Sequence, residues 1–334
     1  MLRMILALIL SAAIVLLTGP KLIAWLRKLK LGQTMYELGP QSHLKKQGTP
    51  IMGGLCIALG CVVAFIVAGV SLGAWDHMLA LLFVALGSMA VGFADDWIKM
   101  VKKNHEGLKP MQKIIGQAAV CLGFALYCYF HPEVGSKIII PFFNVEWNLG
   151  IFYIPLLALT VLFMVNSANL QDGLDGILST VTAVGSIGWA AIALIAATTA
   201  LAAENTTIAV FALALCGACI GFLRFNHYPA TVFMGDTGSM FIGGAVVGMA
   251  MLLRQPFLLL LIAFTCVMSS VSVILQRYYF KLTRKLTGTP KRLFKMSPIH
   301  HHFEMCGMKE TQIVLMYAIV TLVLSVIAVV SVII

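Results

Sequence analysis

Ten apolar stretches, each about as long as a bilayer is thick, constrain this chain more than any other feature of its sequence. Roughly 20 apolar residues form one helix across a hydrocarbon core, and only a helix or a closed barrel satisfies its own backbone hydrogen bonds there. Barrel strands would appear as short alternating segments, unlike these long runs. The sequence therefore predicts an all-α polytopic membrane protein with about ten transmembrane helices. The stretches are residues 4–26, 51–70, 78–97, 113–131, 151–167, 175–199, 207–223, 232–252, 257–280 and 311–333.

Composition supports a membrane class and a single domain. Of 334 residues, 60% are hydrophobic and 11% are charged, which is too little charge for the surface of a soluble domain. The first stretch is too long for a signal peptide and lacks a small-x-small cleavage site, so we expect it to be retained. No internal repeat divides residues 1–334, which we treat as one domain. Weak alternation around Pro141 and Asn144 is typical of a small β-hairpin in the 132–150 loop.

The basic residues lie mostly on one side of the predicted membrane. Ten spans place both termini on the same side, together with Arg3, Lys137 and Arg254, whereas the other 20 of the 23 Lys and Arg residues lie on the opposite side. Cytoplasmic loops carry the excess of positive charge in membrane proteins. We therefore expect both termini to be extracytoplasmic. This distribution accounts for the net charge of +10 without a nucleic-acid partner.

Five carboxylates lie where predicted spans meet the cytoplasmic loops. They are Asp95, Asp96, Asp172, Asp175 and Asp236. A carboxylate at the membrane edge is costly unless it is paired or binds a metal. Each one alone could simply end a helix in the interfacial region. Because all five are predicted to share one face of the membrane, a functional site is the better interpretation.

Two motifs suit a divalent cation. In the sequence Gly92 to Lys99, Lys99 follows Asp95 by four residues and Asp96 by three, which puts it on the same helical face. Adjacent carboxylates at a helix end suit Mg²⁺, which takes one or two carboxylates together with substrate phosphate oxygens. Farther along, Asn166, Asn169 and Asp172 recur at three-residue spacing, so that one helical face would present all three. The alternative for that segment is a turn rich in Asn and Asp.

Three further motifs suit phosphate. Asp236 lies in a Gly-Asp-Thr-Gly-Ser string at the start of an apolar stretch, and Lys46 precedes the glycine pair Gly53-Gly54. Three consecutive histidines, His300 to His302, cannot all face one metal, which disfavours a four-ligand zinc site. Imidazoles that donate to phosphate oxygens fit better. Phosphoryl transfer depends on positioning and charge neutralisation, so this set of residues indicates such an enzyme.

A cation-coupled transporter is the alternative class. In transporters the coupling carboxylates lie near the midplane of the bilayer, on broken helices. Here the acidic residues cluster at one predicted boundary, which favours an enzyme.

At this point the sequence closely resembles the phospho-N-acetylmuramoyl-pentapeptide transferases, within the polyprenyl-phosphate N-acetylhexosamine-1-phosphate transferase superfamily. The resemblance covers the whole chain through KxGTPxMGG, GFADDWxK, NxxNLxDGLDG, RFNxxPAxxFMGDTGS and PIHHHFE. Ile51 is a departure, since the family often has Thr there. The resemblance implies Mg²⁺-dependent transfer of phospho-MurNAc-pentapeptide from UDP-MurNAc-pentapeptide to undecaprenyl phosphate, giving lipid I and UMP. It also implies a bacterial inner membrane with the site facing the cytoplasm. A relative that uses UDP-GlcNAc is the closest alternative, and a homodimer stays open.

The resemblance also implies roles for single residues. Asp236 would bind Mg²⁺, supported by Asp96 and Asn166, and Asp95 would deprotonate or orient the lipid phosphate. The nucleotide pocket or metal shell would be lined by Asn166, Asn169 and Asp172. Uracil would be recognised by Gly173, Leu174 and Asp175, with Phe233 stacked on it. The sugar diphosphate would be held by Lys46, Asn226, His300, His301 and His302. Direct attack by the lipid phosphate is preferred over a covalent phospho-enzyme.

Overall fold

The computed structural model describes residues 1–28, 48–102, 107–198 and 201–334. Within these ranges the chain is almost entirely helical, which confirms the all-α class. The helices are α1 (Leu2–Lys28), α2 (Gly54–Gly69), α3 (Trp75–Lys102), α4 (Pro110–Phe130), α5 (Tyr153–Gln171), α6 (Ile177–Ala196), α7 (Ala202–Asn226), α8 (Gly235–Leu252), α9 (Leu259–Ile262), α10 (Phe264–Thr287), α11 (Ile299–Met305) and α12 (Glu310–Ile333). The strands are β1 (Lys137–Ile140) and β2 (Val145–Asn148), and 3-10 turns lie at Val70–Leu72, Gly150–Phe152 and Pro256–Leu258.

The number of spans agrees with the sequence. In the described part of the chain, nine helices are long and apolar enough to cross a membrane. A tenth span forms if Pro256–Ile262 and Phe264–Thr287 are counted together. This pair is not one straight helix, because it bends by 87° where the backbone leaves the helical conformation at Ala263.

Polar side chains of α10 are satisfied against α5 rather than against lipid. The Ser167 and Ser270 hydroxyls lie 2.7 Å apart, and Gln171 Nε2 donates to Thr265 Oγ1 over 2.9 Å. Hydrogen bonds between helices are the usual way to keep such groups at membrane depth. These two hydrogen bonds hold the first half of α10, which follows the bend at Ala263, against α5.

Glycines allow α3 and α8 to pack closely. A Cβ atom on Gly244 of α8 would lie 2.5 Å from the Val84 carbonyl oxygen of α3, and one on Gly92 of α3 would collide with the Asp236 carbonyl of α8. Small residues at such crossings let helix backbones approach within a membrane. The close packing brings the end of α3 beside the start of α8, and so brings Asp95 and Asp96 beside Asp236.

The predicted hairpin in the 132–150 loop is confirmed. Strands β1 and β2 pair antiparallel, with Lys137 opposite Asn148 and Ile140 opposite Val145. The Ile139 amide donates to the Arg254 carbonyl over 2.8 Å, and the Phe142 amide donates to the Ser331 carbonyl over 3.2 Å. The hairpin thereby joins the connection after α8 to the end of α12.

One carboxylate of the hairpin pairs with two basic residues. Glu146 Oε2 lies 2.9 Å from Lys137 Nζ, and Glu146 Oε1 pairs with the Arg254 guanidinium. Lys137 first, and then Arg254, lower the pKa of the Glu146 carboxyl. Lys137 and Arg254 are two of the three basic residues that the predicted topology puts outside, and Glu146 offsets one of their two positive charges.

The orientation can be tested with reporters. Fused after Ile334, a reporter that works only outside the cytoplasm is expected to be active, and one that works only inside is expected to be inactive. The reason is that α12 leads out from the basic segment that follows α10. A reporter inserted after Gly288, in that segment, should give the opposite response. Reporters of alkaline phosphatase and fluorescent protein type measure this directly. The same response at both positions would contradict the predicted topology.

Candidate functional site

Three carboxylates converge where the end of α3 meets the start of α8. Asp95, Asp96 and Asp236 each offer one oxygen within 4.8 Å of the others. Asp95 and Asp96 are buried, and 16% of the Asp236 side chain is exposed to solvent. Hard oxygen atoms at this spacing suit a divalent cation, so these side chains could hold a metal ion.

Asp96 binds the N-terminus of α8. Its Oδ2 atom accepts hydrogen bonds from the Thr237 amide over 2.8 Å and from the Thr237 hydroxyl over 2.7 Å. Its Oδ1 atom accepts from the Asp236 amide over 3.2 Å. The first amides of a helix have no partner within the helix, and a carboxylate there is also stabilised by the helix dipole. Asp96 therefore fixes the position of α8, and Asp236 with it.

Gly235 makes room for this contact. Its φ is +74°, and a Cβ atom there would lie 2.6 Å from Asp96 Oδ2. Glycine adopts this backbone conformation at little cost. A side chain at this position would separate Asp96 from the helix that it caps.

Two lysines lie among the carboxylates. Lys99 Nζ is 2.6 Å from Asp95 Oδ2 and 3.1 Å from Asp236 Oδ2. Lys113 Nζ is 2.7 Å from Asp236 Oδ2 and 3.9 Å from Asp95 Oδ2. Two ammonium groups thus offset much of the charge of three carboxylates. Lys99 was predicted from its spacing to Asp95, whereas Lys113 was missed.

Asparagines of α5 complete the cluster from another side. Asn169 Nδ2 donates to Asp236 Oδ1 over 2.7 Å and to Ser239 Oγ over 2.9 Å. One turn earlier, Asn166 Nδ2 donates to Gln117 Oε1 over 3.0 Å. The three-residue spacing predicted that one helical face presents Asn166, Asn169 and Asp172; α5 carries the two asparagines, but it ends at Gln171, so Asp172 lies just beyond it in a turn. Gln117 is buried on α4, one turn from Lys113, and its polar side chain within an apolar stretch was a usable signal.

Asp172 follows directly after α5, outside the membrane-spanning segment. The residue is partly accessible to solvent. Burial, reinforced by the charges of Asp236, Asp96 and Asp175, raises the pKa of the Asp172 carboxyl to about 8. The site therefore disfavours a further negative charge unless a cation is added.

The Gly173–Gly176 turn is held from both sides. Ala230 N donates to Asp175 Oδ2 over 2.9 Å, and the Asp175 amide donates to Glu310 Oε1. Asn226 Oδ1 accepts from the Gly176 amide over 3.2 Å, and Asn226 Nδ2 donates to the Val232 carbonyl over 3.0 Å. Asp175 and the buried Asn226 thus shape the two loops beside the carboxylates. Leu174 is buried in the same turn.

The histidines of α11 lie against this turn in different environments. His300 is fully buried, and a Cβ atom on Gly173 would collide with its Nε2 atom. The same Cβ atom would lie 3.0 Å from His301 Nε2, while His301 Nδ1 is 3.2 Å from Glu304 Oε2. His302 faces away, because its Nδ1 accepts from the Lys295 amide over 3.1 Å. The three imidazoles therefore do not all face one point, as the sequence predicted, but His300 and His301 lie together, with ring centroids 4.3 Å apart.

Two other predicted residues lie apart from these contacts. The Phe233 amide donates to the Pro50 carbonyl, and its carbonyl accepts from the Gly53 amide, each over 2.8 Å. This pairing attaches the segment before α8 to the start of α2, with the Phe233 ring partly exposed. Lys46 lies outside the described residues.

Comparisons with known proteins agree with this arrangement. A family model described as Glycosyl transferase family 4 matches residues 78–254. A phospho-N-acetylmuramoyl-pentapeptide-transferase of Clostridioides difficile (strain 630) is 43% identical over 96% of this chain and 94% of that protein. Proteins of the same name from Clostridium perfringens (strain 13 / Type A) and Clostridium kluyveri (strain NBRC 12016) are 41% and 40% identical, over 98% and 99% of this chain and 98% and 100% of theirs.

The raised pKa of Asp172 predicts a pH-dependent stability. Because the folded carboxyl binds its proton up to about pH 8, whereas an unfolded one releases it near pH 4, the stability from this group is present at low pH. It is lost as the pH rises from about 4 to about 8. Asp172→Asn cannot titrate, so we expect its melting temperature to exceed that of the wild type above pH 8 and to approach it at pH 5.

Thermal unfolding of purified protein in detergent, with a chelator present, measures this difference. Glu204→Gln serves as the control, because Glu204 begins α7 at the other end of the bundle. A difference between Asp172→Asn and the wild type that does not change with pH would contradict the interpretation.

Proposed function

The chain belongs to the phospho-N-acetylmuramoyl-pentapeptide-transferase family, a group of membrane transferases in peptidoglycan synthesis, and from this we propose how its site works. The substrates are UDP-MurNAc-pentapeptide and undecaprenyl phosphate, and the products are lipid I and UMP. The observation that carries the proposal is the convergence of Asp95, Asp96 and Asp236 with Lys99 and Lys113 at one end of the bundle. Membership of this family favours UDP-MurNAc-pentapeptide over UDP-GlcNAc.

The position of the carboxylates supports an enzyme rather than a transporter. They lie at the last turns of α3 and the first turn of α8, whereas coupling sites of transporters lie near the midplane. With the termini outside, this end of the bundle faces the cytoplasm, where nucleotide-linked sugars are made. We therefore assign the chain to the inner membrane of a bacterial cell. A homodimer stays a prediction.

The cofactor in this proposal is Mg²⁺, which when bound neutralises developing charge on the diphosphate and on the leaving nucleotide. Asp236 is its principal ligand, because it is the most exposed of the three carboxylates and receives only side-chain donors. Asp96 supports the site by accepting hydrogen bonds from the start of α8. Asn166 supports it through its hydrogen bond to Gln117 of α4, which fixes the side of α5 that carries Asn169.

The protein's own groups then handle the two phosphates. Asp95 orients the lipid phosphate, or takes its proton, beside Lys99. Lys99 and Lys113 donate to Asp236, and each ammonium has three N–H groups, so each can also donate to phosphate oxygens. Such fixed donors stabilise negative charge as it moves during transfer. The lipid phosphate attacks directly, because no covalent intermediate is needed when the nucleophile is already charged.

The remaining residues recognise the nucleotide sugar. Asp172 lines the pocket beside Asn169, and Gly173, Leu174 and Asp175 form the turn that reads uracil, with Phe233 stacked on the base. Asn226, Lys46 and the three histidines hold the sugar diphosphate. The contact between α11 and Gly173 supports this grouping, because it brings imidazole nitrogens to the turn.

Metal ligation and work on the lipid phosphate can be separated by two variants. Asp236→Asn removes a charged ligand while keeping its shape, so UMP release should fall by more than about 100-fold and recover in part at high Mg²⁺ or with Mn²⁺. Asp95→Asn should lose activity without metal rescue. If Asp95 acts as a base, its loss is eased by raising the pH through the second ionisation of the lipid phosphate, at about pH 6.

The measurement is UMP release with purified protein, UDP-MurNAc-pentapeptide and undecaprenyl phosphate, across pH and Mg²⁺ concentration. Glu204→Gln, at the far end of α7, controls for removal of a carboxylate and should keep full activity. The same metal and pH responses in both Asp variants would reject this division of roles. Wild-type protein without UMP release from this substrate pair would reject the proposed function.

The histidine contact can be tested separately. His301→Gln removes an imidazole beside Gly173 and leaves a polar side chain of similar length in its place. We expect turnover to fall roughly 100-fold, as for other lost oxyanion donors, with an unchanged melting temperature. His227→Gln, on an exposed loop, is the matched control. A fall in melting temperature equal to the loss of activity would indicate a structural role instead.

A further inference from the structure

A second group of ligand-type side chains lies at the opposite end of the bundle. Asp76 and His77 are in the first turn of α3, and His131 directly follows α4. Helix α3 is continuous from Asp76 to Asp95, which at 1.5 Å per residue separates this group from the acid cluster by about 28 Å. It therefore belongs to neither the proposed catalytic site nor its surroundings.

The geometry of the group suits one metal ion. Asp76, His77 and His131 each offer a ligand atom, and the three atoms lie within 4.8 Å of one another. His131 Nε2 is 2.9 Å from Asp76 Oδ2, and His77 Nδ1 is 3.5 Å from Asp76 Oδ1. In a tetrahedral zinc site with bonds of about 2.1 Å, ligand atoms are roughly 3.4 Å apart. Small side-chain rotations would therefore complete the site.

His77 gives an independent indication of a ligand. Its ring is only 2% exposed, and its Nδ1 atom has no hydrogen-bond partner within the described residues although it faces Asp76. A buried polar atom without a partner costs free energy. Glu133 Oε2, two residues beyond His131, is also buried without a hydrogen bond in the same part of the chain.

We propose that Asp76, His77 and His131 bind a transition-metal ion of the zinc class at this end of the bundle. Imidazole nitrogens favour zinc and similar ions over Mg²⁺ and Ca²⁺, which prefer oxygen ligands. The fourth position is taken by water. Half of the Asp76 side chain is exposed, so an ion can enter from solvent.

Binding requires a change of tautomer at His131. The Glu133 amide donates to His131 Nδ1 over 3.3 Å, so without metal the proton is on Nε2, which donates to Asp76. When the metal takes Nε2, one proton leaves that atom and one binds at Nδ1, so the ring stays neutral. The Nδ1–H then donates to an acceptor other than the Glu133 amide, which is itself a donor, as metal-bound histidines usually do.

The metal site would connect two helices that also carry residues of the carboxylate cluster. It joins the first turn of α3, whose other end carries Asp95 and Asp96, to the end of α4, which carries Lys113 near its start. The expected effect of the ion is on stability, since ligand binding to the folded state raises its stability by mass action. The proposal does not depend on the reaction at the other end.

The experiment uses the full-length protein in detergent, stripped with a chelator and then saturated with Mg²⁺ to occupy the acid cluster. Zn²⁺ is titrated by calorimetry, and Co²⁺ is used as an optical probe of four-coordinate geometry. We expect one equivalent of Zn²⁺ to bind and to raise the melting temperature. His77→Gln and Asp76→Asn should each weaken Zn²⁺ binding by at least about 100-fold, whereas His227→Gln should bind as the wild type does.

Two results would overturn the proposal. One is equal Zn²⁺ affinity in the wild type and in both variants, which would place the ion elsewhere. The other is no stoichiometric binding to the wild type, which would leave His131 and Asp76 as a simple hydrogen-bonded pair. Because Asp76 is half exposed, Asp76→Asn keeps the test valid if His77→Gln does not fold.

Discussion

The hydrogen bonds from the start of α8 to Asp96 are the interaction on which the rest of the site depends. They satisfy amides that would otherwise have no partner at the edge of the membrane, and they hold the α8 dipole against a negative charge. Because Asp95 precedes Asp96 on one helix and Asp236 lies in the first turn of the other, this single contact sets the distance between the two acids. The glycines at the α3–α8 crossing permit it, and neither feature suffices alone.

The two lysines make this concentration of acid tolerable. Lys99 comes from the same helix as Asp95, but Lys113 comes from α4, so the charge balance requires three helices to be assembled correctly. Without a bound cation the cluster keeps one more carboxylate than ammonium. The remaining negative charge favours binding of a divalent cation. A cation bound to the carboxylates would replace Lys99 and Lys113 there, and the two ammonium groups could then contact phosphate oxygens.

Periodicity and charge predicted much of this molecule, because a membrane limits the choices. The spans follow from hydropathy, the hairpin follows from alternation, and the asparagine face of α5 follows from three-residue spacing. The acids were grouped correctly because consecutive spans bring every second connection to the same side of the membrane. What sequence could not supply is which ends are neighbours.

The features that were missed all depend on contacts between distant segments. Lys113 and Gln117 lie one turn apart on α4, but their significance depends on Asp236 and Asn166, which follow much later in the chain. No proline or glycine stands at the bend at Ala263 to indicate it in the sequence. Polar contacts with α5 hold α10 after the bend. Asp96 could be predicted as an acid of the site, but not as the cap of a helix that begins 139 residues later, at Gly235.

The hairpin has a consequence for biogenesis. Its residues are synthesised long before the Arg254 and Ser331 carbonyls that they contact. Four further helices, α5 to α8, precede Arg254, and seven, α5 to α11, precede the helix that carries Ser331. Its docking can be completed only when α12 has entered the bundle. The contact between the hairpin and Ser331 is therefore among the last that the growing chain can form.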